Sequence, residues 1–233
     1  MSLEIETDRG DSDREARTTP AMSPEMAAVL DSAEAFVEQA RLRLALAAMD
    51  EVGDHILNPD MGPFAFAKRP PRDAAVLIPV VDRPAGASII LTQRTDHLTS
   101  HAGQISLPGG KIDPEDNGPI DAALREANEE IGLAPRAVQP VGVLPTYLTG
   151  SGYRVAPVLG LVSPKAPIRA NPDEVAEIFE VPLRFLMNDV NHRRQSRIFA
   201  GKPRYFYAMP YGERYIWGVT AGILRLLYDT VCR

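Results

Sequence analysis

Cysteine is almost absent from this chain of 233 residues: Cys232, next to the C-terminus, is the only one. A lone thiol excludes internal disulfides and cysteine-rich zinc sites, and it is expected of a protein kept in a reducing cytoplasm. Long apolar runs are missing too. No stretch approaches the roughly 20 residues that cross a bilayer, so no membrane partner is expected. The first twenty residues hold six acids and three arginines, with none of the apolar character of a secretory signal. Positive charge is also in deficit: 25 Lys and Arg stand against 31 Asp and Glu, a formal net charge of −6. Duplex nucleic acid is met with Lys and Arg and is therefore not an expected partner. A phosphorylated ligand would have to be held by local cations or by metal ions. Internal repeats are absent as well.

What is present is a hydrophobic fraction of 45%, enough for the core of one large domain or one domain with an appendage. The charged opening, residues 1–22, is expected to be a disordered tail. Ser23-Pro24-Glu25 has the form of an N-cap followed by proline at the first helical position. From Met26 to about Met49 the apolar residues Val29, Ala33, Phe36, Val37, Ala40, Leu44 and Ala47 recur at helical spacing. The stripe needs a partner, either the body of the protein or a second subunit in a homodimer. Residues 58–72 hold four prolines and read as a linker. The expected organisation is a tail over 1–22, a helix and linker over 23–71, and the main domain over 72–233.

Beyond the linker the period changes. Ala74–Val81 and Ala87–Leu91 are short β-branched runs around a turn at 82–86, and they are expected to pair. Gly103–Leu107, Val138–Leu144 and Tyr153–Val162 read as further strands, Ile198–Phe199 and Tyr205–Met209 as a hairpin, and Trp217–Val231 as a closing helix. Strands and helices mixed in this way predict an α/β fold, a mixed sheet covered by helices.

The chemistry lies in residues 108–133. Two glycines, two prolines and several Asp/Asn make a loop, and Pro119 and Gly132 delimit a helix. Ile120, Ala123, Leu124, Ala127 and Ile131 give that helix one apolar stripe. Glu126, Glu129 and Glu130 fall at i, i+3 and i+4, within one arc away from it. Like charges at this spacing cost an isolated helix roughly 0.2–0.5 kcal/mol per pair. Hard oxygen donors clustered so suit Mg²⁺ or Mn²⁺, which take a few carboxylates, waters and phosphate oxygens.

The segment resembles the Nudix box, G-x5-E-x7-R-E-U-x-E-E-x-G-U, where U is aliphatic. Its second half matches throughout, from Arg125-Glu126-Ala127 to Gly132-Leu133. In the first half Asp116 stands where the box has glutamate, and eight residues rather than seven separate it from Arg125. That shift is similar to the coenzyme A pyrophosphatase branch, whose loop here reads Gly109-Gly110-Lys111-Ile112-Asp113-Pro114-Glu115-Asp116. The branch also has an upstream signature, L-L-T-x-R-[S/A]-x3-R-x3-G-x3-F-P-G-G. It is matched by Ile90-Leu91-Thr92-Gln93-Arg94-Thr95, Gly103 and Leu107-Pro108-Gly109-Gly110, with Thr99 in place of its second arginine and Leu107 in place of its phenylalanine.

The resemblance, over about residues 72–231, implies a Nudix-type mixed sheet between helices, to which the helix read from apolar spacing adds an N-terminal helical extension. It implies an enzyme that hydrolyses a pyrophosphate bridge with Mg²⁺ or Mn²⁺. The substrate implied is a small nucleoside-diphosphate derivative, coenzyme A or its esters, cut to 3′,5′-ADP and 4′-phosphopantetheine. ADP-ribose or dinucleotides are the alternative substrates, and a non-catalytic nucleotide-sensing module is the alternative class. Glu126, Glu129 and Glu130 would hold metal, Arg125 would orient a glutamate, and Arg94, Gly109, Gly110 and Lys111 would meet the ligand. The general base is left open between a box glutamate, Glu174 and Glu177.

Overall fold

The computed structural model describes residues 23–46, 50–98, 101–199 and 201–233. The expected tail over 1–22, the end of the expected first helix at 47–49 and Thr99 lie outside them. The elements in chain order are α1 (Pro24–Asp31), α2 (Ala33–Leu44), β1 (Val52–Gly53), α3 (Asp54–Leu57), β2 (Arg72–Val81), β3 (Ser88–Arg94), β4 (Ile105–Ser106), β5 (Gly109–Lys111) and α4 (Pro119–Ile131). There follow β6 (Val138–Val143), β7 (Tyr147–Leu148), β8 (Tyr153–Val162), β9 (Val175–Pro182), α5 (Leu183–Leu186), β10 (Arg193–Phe199), β11 (Lys202–Tyr211), β12 (Arg214–Trp217) and α6 (Val219–Val231).

The expected first helix is two. Ser23 caps α1 by accepting the Met26 N–H at 3.2 Å, and Ser32, in extended conformation, caps α2 by accepting that of Ala35 at 3.3 Å. A serine that caps the second helix must leave the helical conformation itself, which breaks the run. Leu30, Ala33, Phe36, Val37 and Ala40 are buried in the same core cluster as Leu224, Leu227 and Val231 of α6. The described part of the apolar stripe therefore finds a partner within this chain.

The strands form a nine-stranded mixed sheet and a separate three-stranded antiparallel one, β10-β11-β12. The expected pairing of β2 with β3 is confined to the turn, at Val80↔Ile89 and Val81↔Ser88. Along its whole length β2 instead runs parallel to β8, from Arg72↔Tyr153 to Val81↔Val162. Meanwhile β3 diverges to pair antiparallel with β9 and β4. A strand buried on both faces gains more from a long central partner than from its hairpin neighbour, which is why β2 reads as a nearly unbroken apolar run. The sheet is covered on one face by α4 and on the other by α1, α2 and α6, with a core cluster on each side. This is the α/β/α arrangement expected. The closing helix begins at Val219, and Trp217 belongs to β12. Among the described residues no helix is long and apolar enough to cross a membrane.

Candidate active site

The site is built where the loop after β5 enters α4. Gly118 and Pro119 open the helix, and Gly132, left-handed at φ 63°, closes it. Ala123, Ala127 and Ile131 are fully buried against the sheet. The helix is thereby rotated so that its glutamates face the Gly109-Gly110 strand. Those two glycines are dictated by crowding. A Cβ on Gly109 would sit 2.4 Å from the Ala75 carbonyl oxygen, and one on Gly110 would sit 2.4 Å from Glu126 Oε1. Backbone blocks any side chain at Gly109, whereas at Gly110 the Glu126 carboxylate would have to move away.

Arg125 ties loop to helix. Its Nε and Nη2 donate to the two oxygens of Asp116 at 3.0 and 2.9 Å, and Nη2 also reaches the Lys111 carbonyl at 3.0 Å. Nη1 donates to Glu126 at 3.0 Å and to Glu129 at 3.4 Å. A bidentate guanidinium–carboxylate fork is among the stronger charge-assisted contacts. Asp116 is held well below the ordinary carboxylate range by Arg125 and by the Asp113 N–H, while the Arg125 pKa rises correspondingly. The aspartate that departs from the box is thus the anchor of its arginine.

Glu130 is 3% exposed. It accepts the Gly109 N–H at 3.2 Å and a long contact of 3.4 Å from Arg94 Nη1, and burial pushes its carboxyl up to about 7. Arg94 Nε is buried with no hydrogen-bond partner among the described residues. Glu126 is raised as well, chiefly by burial, with Arg125 opposing and the charges of Glu129 and Glu174 adding to the rise. Glu174 also pushes Glu130 upward. It is brought there by a latch: the N–H groups of Arg169 and Asn171 each donate at 2.8 Å to the last-turn carbonyls of Ile131 and Glu130. Such carbonyls have no partner within the helix, so the crossing segment supplies one. Glu177, the other open choice of base, is instead taken by Arg214 at 2.7 and 2.9 Å, and its pKa falls.

The structure thus gathers Arg94, Gly109, Gly110, Arg125, Glu126, Glu129, Glu130 and Glu174 around the junction of β5 and α4. Lys111 contributes its carbonyl to Arg125 while the residue itself stays exposed. His97 bonds the Asp173 carbonyl at 3.1 Å and His101 the Gln104 side chain at 2.9 Å, which separates the two histidines into local roles. The latch at Arg169–Asn171 was not legible in sequence beforehand; its one signal is Asn171-Pro172-Asp173, where Asn171 Oδ1 accepts the Asp173 N–H at 3.2 Å.

The NUDIX domain model matches residues 71–200, more than half of the chain. The chain belongs to the Nudix family. Among its relatives is the uncharacterized Nudix hydrolase NudL of Escherichia coli K12, 44% identical over 156 residues, which span 67% of this chain and 81% of the relative. NudL of Shigella boydii is similar to the same extent. Among solved structures, a Nudix hydrolase of M. smegmatis, RenU, is 23% identical with a TM-score of 0.41, covering 50% of this chain and 72% of its own. Another, DR0079 of Deinococcus radiodurans, is 12% identical with a TM-score of 0.45, covering 67% and 83%. The Nudix chain is accordingly a pyrophosphohydrolase of a family that uses divalent metal ions.

The residues present fit such an ion by their chemistry. Glu126, Glu129 and Glu130 are hard oxygen donors on one helix, and the charges around them, Glu174 included, add to the proton affinity of Glu126 and Glu130, the mark of carboxylates that a cation would stabilise. Among the described residues no three His, Cys, Asp or Glu side chains converge on one point. Arg125 draws Glu126 and Glu129 toward itself, while Glu130 turns to Gly109.

Proposed function

We propose that this Nudix hydrolase cleaves the diphosphate bridge of coenzyme A or its esters, giving 3′,5′-ADP and 4′-phosphopantetheine, with Mg²⁺ or Mn²⁺. The observation that carries the reading is the meeting of two separate sequence signals: Arg94, from the upstream signature, contacts Glu130, from the box. A divalent ion, when bound, supplies charge neutralisation at the diphosphate and eases deprotonation of water.

The chain's own residues do the rest. Glu126, Glu129 and Glu130 are the ligands assigned to metal, and Arg125 positions two of them through its Asp116 anchor. Arg94, the Gly109-Gly110 backbone and Lys111 bind the anionic bridge. Glu174 takes the proton of the attacking water as its oxygen bonds to phosphorus and the bridging P–O bond breaks. The departing oxygen leaves as a phosphate monoester, and water has been divided between two products.

The test is a panel read by chromatography at equal concentration: coenzyme A, dephospho-coenzyme A, ADP-ribose, NADH and diadenosine polyphosphates, each with Mg²⁺, Mn²⁺ or EDTA. Coenzyme A is expected to be cleaved fastest and only with metal. Much faster cleavage of ADP-ribose or a dinucleotide would overturn the substrate and leave the family membership standing. No cleavage of any diphosphate would favour a sensing module.

A further inference from the structure

The segment 192–217 inverts the character of the chain. In a protein of net charge −6 it carries six Arg and Lys against one acid, Glu213, and seven of the fifteen aromatic residues. It forms the sheet β10-β11-β12, and its two faces differ. Met209 and Ile216 are fully buried in the same core cluster as Ile105 of β4 and Leu91 of β3. Strand alternation puts the other set outward: Arg193, Gln195 and Arg197 of β10, Phe206 of β11, Tyr215 and Trp217 of β12. On β3 and β4 the residues that alternate away from that cluster are Thr92, Arg94 and Ser106, the side from which Arg94 reaches Glu130. β12 runs beside β4, and Thr220, just past β12, donates to the Ile105 carbonyl at 2.9 Å. The face thereby adjoins β4, the neighbour of the strand that carries Arg94.

The face is organised. The Arg197 guanidinium lies over the Trp217 ring at 4.5 Å and over Phe206 at 5.7 Å, and those two rings meet edge-on at 5.3 Å. Tyr215 donates to Gln195 and feels the charge of both Arg193 and Arg197. Among the described residues neither of these two arginines has a carboxylate within ion-pair distance, and both are exposed. A guanidinium seated over an indole leaves its outer side open for stacking and for a phosphate fork. Nucleobases stack on such planes, and each stacked base contributes a sequence-tolerant hold.

We propose that this face is the nucleotide subsite: the purine of the substrate stacks on the Arg197–Trp217 layer, and Arg193 with the Arg197 edge holds a phosphate outside the diphosphate bridge. The inference rests on the coenzyme A reading, because that ligand carries both a purine and a 3′-phosphate. Charge complementarity selects the occupant. Two cations without a carboxylate partner among the described residues, in an otherwise acidic protein, fit a compact polyanion of this kind, where the neutral ribose of a ligand such as ADP-ribose leaves them unanswered.

Trp217 is the only tryptophan, so its emission reports on this face alone. The full chain in EDTA, where no turnover is needed, is titrated with 3′,5′-ADP and with 5′-AMP. Both nucleotides are expected to quench Trp217, with 3′,5′-ADP binding at least tenfold more tightly. Arg193→Gln and Arg197→Gln, which keep the reporter, should each reduce that preference severalfold. Absence of quenching, equal affinity for the two nucleotides, or an unchanged preference in both variants would overturn the subsite. So would much tighter binding of a single-stranded oligonucleotide, or emission that changes with protein concentration alone, since these assign the face to nucleic acid or to self-association. Because the titration is independent of hydrolysis, a failed substrate panel and a failed subsite are told apart.

Discussion

Two groups of arginines in this protein have opposite surroundings. Arg125 is enclosed by Asp116, Glu126 and Glu129 within 3.4 Å, with Asp113 at 3.6 Å. Arg193 and Arg197, on the outer face of β10, have aromatic and amide neighbours and no carboxylate among the described residues. The difference separates two uses of one side chain. A guanidinium saturated by carboxylates spends its donors on holding other groups in place, and has little left for a ligand. One supported only by rings keeps its donors free, and desolvating it is useful only when an anion arrives.

Breaking the first region should have the largest effect. Glu129→Gln is expected to lower turnover by orders of magnitude with the fold intact, because removal of one hard ligand weakens metal binding and charge neutralisation together. Steady-state rates at saturating Mg²⁺ with circular dichroism check this, and unchanged activity would remove Glu129 from the metal site. Next comes Arg125→Gln. It leaves three carboxylates without their shared cation and frees the loop, so the rate should fall by about a hundredfold and the melting temperature by several degrees. Arg125→Lys, which keeps charge but not the fork, should recover only part of either.

The buried carboxylate beside this cluster gives a pH test. An unfolded glutamate titrates near its ordinary value of 4.5, whereas folding raises Glu130 to about 7. The folded state therefore holds the proton more tightly, and the stability this contributes is complete below pH 4.5 and lost as pH rises through 7. In EDTA the amide of Glu130→Gln does not ionise and still accepts the Gly109 N–H. The variant should overtake the wild type in stability across that window, by at most roughly 3 kcal/mol above pH 7. Denaturant melts at pH 5 and pH 8 measure the difference, and a wild type that gains on the variant with rising pH would contradict it.

The smallest effect sharpens the contrast. Arg193→Gln and Arg197→Gln break no ion pair among the described residues, so their melting temperatures should match the wild type closely. A drop comparable to that of Arg125→Gln would show that these cations hold structure rather than stand open.

Sequence alone determined what neighbours in the chain can encode. The helix over 119–131, its glycine stop and apolar stripe, the arc of Glu126, Glu129 and Glu130, and the strand Tyr153–Val162 all follow from periods of 3.6 or 2 and from capping chemistry, which act over a few residues. Even Ser32, which splits the first helix, is a local signal that the run of apolar spacing concealed. Tertiary structure decided the contacts made across long separations. It set β2 beside β8 instead of β3, turned Asp116 into the anchor of Arg125, carried Arg94 to Glu130, and selected Glu174 over Glu177 for the carboxylate cluster. Each of these depends on which surfaces bury against one another, and on how far burial shifts the cost of a charge. No residue pattern along the chain states those quantities until the sheet has formed and α4 has been pressed onto it.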